Sequence, residues 1–164
     1  MLDLFRPLTE AGFPHYEINM EGHVRRVGRT KLLKPRVVVV RKGRHFLGFG
    51  YQLRKTPEGA MFTLRLRRKL VAIAWGKTLR PNHIVLSVDE TDHLQSLVAI
   101  SQSEHALYCR RHEFYHFVIS SKTNGLCVLN EEGTFRLKSA YILDKKTTWE
   151  DLKKRIDLLK KKKI

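Results

Sequence analysis

Carboxylates are nearly missing from one long stretch of this chain. Between Gly22 and Lys69 there are fifteen Lys or Arg residues and one acid, Glu58. That shortage excludes a surface neutralised by its own residues. Like charges at this density repel, and the usual compensation is a polyanion whose condensed counterions are released on binding. The imbalance is local. Residues 1–80 hold 18 basic and 5 acidic residues, whereas residues 81–164 hold 14 and 11, within a total of +16 over 164 residues. Cysteine is also scarce: Cys109 and Cys127 alone exclude a disulfide framework and suit a reducing compartment. No apolar run approaches the roughly 20 residues that cross a bilayer. The opening Met-Leu-Asp-Leu-Phe-Arg-Pro lacks the basic and apolar regions of a secretory signal, so a cytoplasmic or nuclear protein is expected. The basic half contains no basic amphipathic helix, which favours nucleic acid over a membrane as the polyanion. Gly48-Phe49-Gly50 lacks the strand-to-helix context and the lysine of a phosphate loop. No Ser-His-Asp or Cys-His arrangement can be placed from spacing.

What is present is mostly β-type. Tyr16–Asn19 and His23–Val27 read as a hairpin turned at Met20-Glu21-Gly22. Arg36–Val40 is a β-branched strand, followed by His45–Leu53 and by a turn at Lys55–Gly59. Residues 61–67 alternate, with Phe62, Leu64 and Leu66 on one face and Thr63, Arg65 and Arg67 on the other. The basic half is therefore expected to be a twisted antiparallel sheet with an arginine-rich outer face, from which Arg65 and Arg67 enter a groove. Arg68–Trp75 turns helical and stops at Gly76. His83–Val88 is a strand candidate, and a helix is expected over Ser101–Arg111, capped by Ser101 with Glu104 completing a capping box. A second β group spans residues 114–143. The last helix is capped by Thr147 with Glu150 at the third position; Trp149, Leu152, Ile156 and Leu159 form its apolar stripe, and Lys160–Lys163 close it.

The segment Tyr16-Glu17-Ile18-Asn19-x-x-Gly22-x-Val24-Arg25, then Leu33-Lys34-Pro35, then the basic strand pair and Leu70-Val71-Ala72-x-Ala74-Trp75, resembles the modular DNA-binding segment of HNH homing endonucleases. The match covers about residues 14–101. The resemblance implies a phage or mobile-element protein whose basic module sits on DNA, followed by a ββα-metal nuclease region. The departures lie where chemistry belongs. Arg68 stands in place of the histidine that opens the nuclease region. Ser87 stands where the general-base histidine belongs, and a serine is no base near neutral pH. Hydrolysis of this kind needs a divalent cation and a positioned base. A shifted alignment supplies His83 or His93 as base and Asp89 or Asp92 as ligand for Mg²⁺ or Mn²⁺. The other reading makes these residues the surface of a region kept for shape.

The expected class is α+β: a small basic antiparallel sheet module over 1–80, a degenerate ββα-type region over 81–111, and a second antiparallel β group with a C-terminal helix over 112–164. The expected function is non-enzymatic binding of duplex DNA, with an active nuclease or an RNA- or ribosome-binding protein as alternatives. The phosphate-gripping candidates are Arg25, Arg26, Arg29, Lys31, Lys34, Arg36, Arg41, Lys42, Arg44, Arg54, Lys55, Arg65, Arg67, Arg68 and Lys69. His45, Phe46, Phe49 and Tyr51 lie among them as core residues, or as stacking platforms if exposed. His105, Cys109, His112 and His116 suggest zinc, but on one helix the outer pair would lie about 16 Å apart. If the helix ends near Arg111, His112 and His116 move off it and a three-ligand cluster becomes possible, which Cys127 could join. No cofactor is expected. Trp149, Leu152, Ile156 and Leu159 either pack on their own sheet or meet a protein partner or second copy.

Overall fold

A computed structural model describes residues 4–40, 45–59, 61–76, 79–109, 116–120, 122, 125–130 and 133–162. The fold is α+β. Among the described residues, twelve strands form four three-stranded antiparallel sheets accompanied by three helices. The chain divides into two compact units, one of residues 1–78 with 92–94, the other of residues 79–91 with 95–164.

In the first unit, β1 (Arg6–Leu8), β2 (Phe13–Ile18) and β3 (Val24–Arg26) make one sheet. The second sheet is β4 (Arg36–Val40), β5 (His45–Arg54) and β6 (Phe62–Leu66). The basic half thus contains two small sheets instead of the single one expected. Phe13, Tyr16, Ile18, Val24, Tyr51 and Leu53 are buried, together with Leu70, Val71 and Ala72 of helix α1 (Arg67–Trp75). Trp75 Nε1 donates to the Ile18 carbonyl at 2.9 Å, tying the end of α1 to β2. Tyr51 Oη donates to the Gly22 carbonyl at 2.8 Å, tying β5 to the first hairpin.

The alternation over 62–66 is present, but its sense is inverted. Register pairs Tyr51 with Arg65 and Leu53 with Thr63, so the Arg65 row shares the face of two fully buried residues. Phe62 and Leu64 lie on the opposite face, 49% and 42% exposed. Arg67 does not continue the row, because α1 starts there. Gly22, at φ +92°, is required where the chain passes Arg67: a Cβ would lie 2.7 Å from that side chain's Cγ and Cδ.

In the second unit, β7 (His83–Ser87), β8 (Leu97–Ser101) and β12 (Tyr141–Ile142) form one sheet in the order β12-β8-β7. The other is β9 (His116–Ile119), β10 (Leu126–Asn130) and β11 (Gly133–Arg136). The helix expected over 101–111 is shorter in its α part: α2 spans only Gln102–Glu104 and runs into a π turn, His105–Cys109. Ser101 does cap it, accepting from the Glu104 amide at 3.2 Å. Glu104 does not reach back, however. Its carboxylate takes the amides of Lys138 and Ser139 at 2.9 and 2.6 Å, and Ser139 Oγ accepts from the Ser101 amide.

Helix α3 (Trp149–Lys162) begins one residue later than its sequence suggests. Thr148 and Asp151 cap each other's amides at 3.2 and 3.0 Å, while Thr147 donates to Asp144. Leu152 and Ile156 are 0% and 3% exposed and belong to the core with Leu86, Val98, Phe117, Leu126 and Val128; Trp149 packs against it. Burial in their own unit removes Leu152 and Ile156 from any exposed partner surface. Leu152→Ala is therefore expected to destabilise the unit by about 2–5 kcal/mol in urea unfolding. Leu158→Ala, at a position 57% exposed, should change stability by less than about 0.5 kcal/mol. Equal effects at the two positions would contradict this packing.

Candidate nucleic-acid interface

The chain that leaves β3 carries a run of exposed cations. Arg26, Arg29, Lys31, Lys34 and Arg36 are all exposed, and no acid occurs between Gly22 and Pro57. Backbone bonds hold this segment in place. Arg29 donates to the Arg26 carbonyl at 3.0 Å to close a turn, Arg25 and Leu32 form an isolated bridge, and the Leu33 amide donates to the buried Val24 carbonyl at 2.7 Å. Lys55, Arg65 and Lys69 are exposed as well. Arg41, Lys42 and Arg44 lie outside the described residues.

Four of the candidate cations are half-buried instead. Arg25 donates to Glu17 at 2.7 Å and its guanidinium lies 3.7 Å from the Phe5 ring centroid. Arg54 sits 4.4 Å over Phe62. Arg68 reaches toward Gly48, where a Cβ would lie 2.6 Å from its Nη1; Gly48 has φ +137°. Arg67 donates to Asp92 at 3.1 Å, and the two side chains are only 16% and 6% exposed. Its guanidinium also stands 4.9 Å from the Phe49 ring centroid. Arg67 is therefore an internal counter-charge of the first unit and does not face a groove. Burial raises the pKa of the neighbouring Tyr51, against the pull of Arg67, which keeps the phenol protonated as the donor to Gly22. Tyr51 itself is 1% exposed and Phe49 is half-buried, so Tyr51 offers no stacking face. The side chains of His45 and Phe46 lie outside the described residues. Among the described residues of this sheet, Phe62 is the exposed aromatic, at 49%.

The four residues of the displaced nuclease reading fall in two units: Asp92 and His93 in the first, His83 and Asp89 in the second. Asp92 is occupied by Arg67 and has φ 54°, a left-handed conformation. His83 is half-buried with Nδ1 2.9 Å from the Pro81 carbonyl. Asp89 is the centre of a polar network. One carboxylate oxygen accepts from the Thr91 amide and hydroxyl at 3.1 and 2.7 Å and from Ser87 at 3.3 Å. The other accepts from Ser96 at 2.8 Å and from Arg155 at 3.4 Å, and Arg155 also reaches Ser96 and Gln95. Ser87 is thus a hydrogen-bond donor to Asp89. Sequence reasoning missed Arg155. Its signal was position: three residues after Leu152 and four before Leu159, an arginine stands on the apolar stripe.

Burial alone would raise the Asp89 pKa, but hydrogen bonds from Thr91 and Ser96 and the Arg155 charge outweigh it and hold the pKa below the ordinary aspartate value. A group depressed in the folded state contributes stability above its unfolded pKa of about 3.9, and that contribution disappears as pH falls through the lower folded value. In urea unfolding, Asp89→Asn should therefore be less stable than wild type at neutral pH, and the gap should shrink once the pH drops below about 4. A gap that stays constant down to strong acid would mean that Asp89 is not held as the anion.

Among the described residues, no group of three or more His, Cys, Asp or Glu is placed to hold a metal ion. Of the suggested zinc set, His105 lies half-buried in the π turn. The side chains of Cys109 and His116, and all of His112, lie outside the described residues. Cys127 is buried in β10 with its thiol 3.9 Å from the Gly125 carbonyl. No described helix is long and apolar enough to cross a membrane. No protein-family model, curated protein or solved structure matches the chain.

Proposed function

We propose that this protein binds duplex DNA without performing chemistry on it, gripping phosphates with the exposed cations that follow β3. One observation carries the reading. Arg26, Arg29, Lys31, Lys34 and Arg36 are all exposed on a backbone-anchored segment that has no neighbouring acid in sequence. Fixed cations of this kind contact phosphate oxygens and give affinity with little sequence discrimination. The commitment of the Asp89 and Asp92 carboxylates to Arg155 and Arg67 supports a non-catalytic role, since each is already neutralised by a guanidinium. The motif order over residues 14–101 supports an origin in an HNH homing-type endonuclease of a phage or mobile element.

The test is binding of a labelled duplex across a salt series, with structured RNA as competitor, alongside plasmid nicking in Mg²⁺ or Mn²⁺. Affinity should fall steeply, by about 10³-fold or more between 50 and 200 mM salt if six or more phosphates are engaged. Duplex DNA should outcompete RNA, and the plasmid should remain supercoiled. A preference for RNA would replace DNA with RNA as the partner. Metal-dependent nicking that His83→Ala abolishes would make the protein a nuclease.

A further inference from the structure

A small cleft opens in the first unit, lined by His15 and Tyr16 of β2, Arg26 of β3, Arg54 of β5, and Thr56 and Pro57 in the following turn. Its lining residues include two arginines, a histidine and two hydroxyl side chains, Tyr16 and Thr56, and no carboxylate. Arg54 is the incompletely partnered member of the set. Its Nε is the only buried side-chain polar atom without a hydrogen-bond partner among the described residues. An unpaired donor on a charged, half-buried group is rare in folded proteins; the atom is itself closed to solvent, so it marks a guanidinium short of partners and is not the contact a ligand would make. The rest of Arg54 is held in place: its amide donates to Tyr16 Oη at 3.3 Å and its guanidinium lies over Phe62. A fixed guanidinium is already ordered for an anion, so less entropy is lost when one binds. Arg26, exposed and also lining the cleft, adds a second positive charge.

We infer that this cleft binds a single phosphate group. The chemistry is shared by a free phosphate and by a backbone phosphate of nucleic acid. On the proposed function it is the backbone phosphate that occupies the cleft, and Arg26 and Arg54 there set the register of the neighbouring basic segment on the strand. The cleft differs in kind from that segment. Exposed lysines and arginines attract any phosphate, whereas a walled site with two guanidiniums selects one position.

The experiment is a ¹H–¹⁵N titration of the full chain with sodium phosphate at constant ionic strength, with chloride as control, beside duplex binding over a salt series. Wild type, Arg26→Gln and Arg54→Gln are compared after thermal unfolding has checked their folds. Phosphate should produce saturable shifts at residues 15–16, 26 and 54–56 that chloride does not, and both variants should lose them. Each variant should also lower the salt slope for duplex DNA by about 1. If Arg54→Gln unfolds, the exposed Arg26→Gln carries the test. Absence of saturable shifts in wild type, or variants that bind phosphate like wild type, overturns the cleft. If duplex binding then persists with its salt dependence, the proposed function survives that failure. Saturable phosphate binding that the variants lose, in a protein that binds no duplex, leaves the cleft standing and removes the DNA reading.

Discussion

Arg67→Met is expected to lower the stability of the first unit by about 3 kcal/mol, at the lower end of the effect of stripping a counter-charge from a buried partner. Asp92 is 6% exposed and depends on Arg67 at 3.1 Å. Methionine fills much of the same space beside Gly22 and Phe49, so the loss comes chiefly from the stranded carboxylate and less from a cavity. A backbone bond from the Leu94 amide to the Met20 carbonyl at 2.9 Å also ties the segment that carries Asp92. The double variant Arg67→Met with Asp92→Asn should recover a substantial part of the loss. It leaves no buried charge, and asparagine tolerates the left-handed backbone at φ 54°. Urea unfolding of the cycle measures the coupling directly. A single variant that costs less than about 1 kcal/mol, or a double variant that shows only the sum of the two single losses, would contradict a buried ion pair here.

The second large effect concerns the basic segment. Changing Arg29, Lys31, Lys34 and Arg36 together to glutamine should reduce the slope of log affinity against log salt by about 3–4, since each lost phosphate contact removes about 0.9. Stability should scarcely change, because all four side chains are exposed. Net charge alone could imitate part of this result. A control with Lys153, Lys154, Lys160 and Lys161 changed to glutamine removes the same formal charge from exposed positions of α3. If the control flattens the slope as much as the segment variant, binding is governed by overall charge and the localised grip is refuted. The same logic separates Arg65 from Arg67, which share a sequence row. Arg65 is exposed and can affect binding, whereas the effect of Arg67 on binding is indirect, through the fold.

Much of the secondary structure was readable because local periodicity reports it. The β-branched run of β4, the alternation in β6, the helical α1 ending at Gly76 and the amphipathic stripe of α3 lie close to where pattern places them. Capping was less readable. Thr147 and Thr148 are chemically equivalent candidates, and what separates them is that Asp144 takes the first hydroxyl and Asp151 the amide of the second. Glu104 had the spacing of a capping box, yet two amides from a turn 34 and 35 residues away compete for its carboxylate and win.

By itself, then, the sequence determined the α+β class, the positions of most elements and a positive charge far in excess of anything its own acids can neutralise. These follow from local geometry and from counting. Only the tertiary structure decided which cations face solvent and which are internal. An alternation of period two names two faces but not which one meets the core, so Phe62 and Leu64 came out exposed while Arg65 shared a face with Tyr51 and Leu53. Ion pairs across 25 and 66 residues took Arg67 and Arg155 into Asp92 and Asp89, and no spacing rule reaches that far. The stretch from Arg26 to Arg36 stayed on the surface because it has few apolar side chains to bury and no carboxylate to pair with.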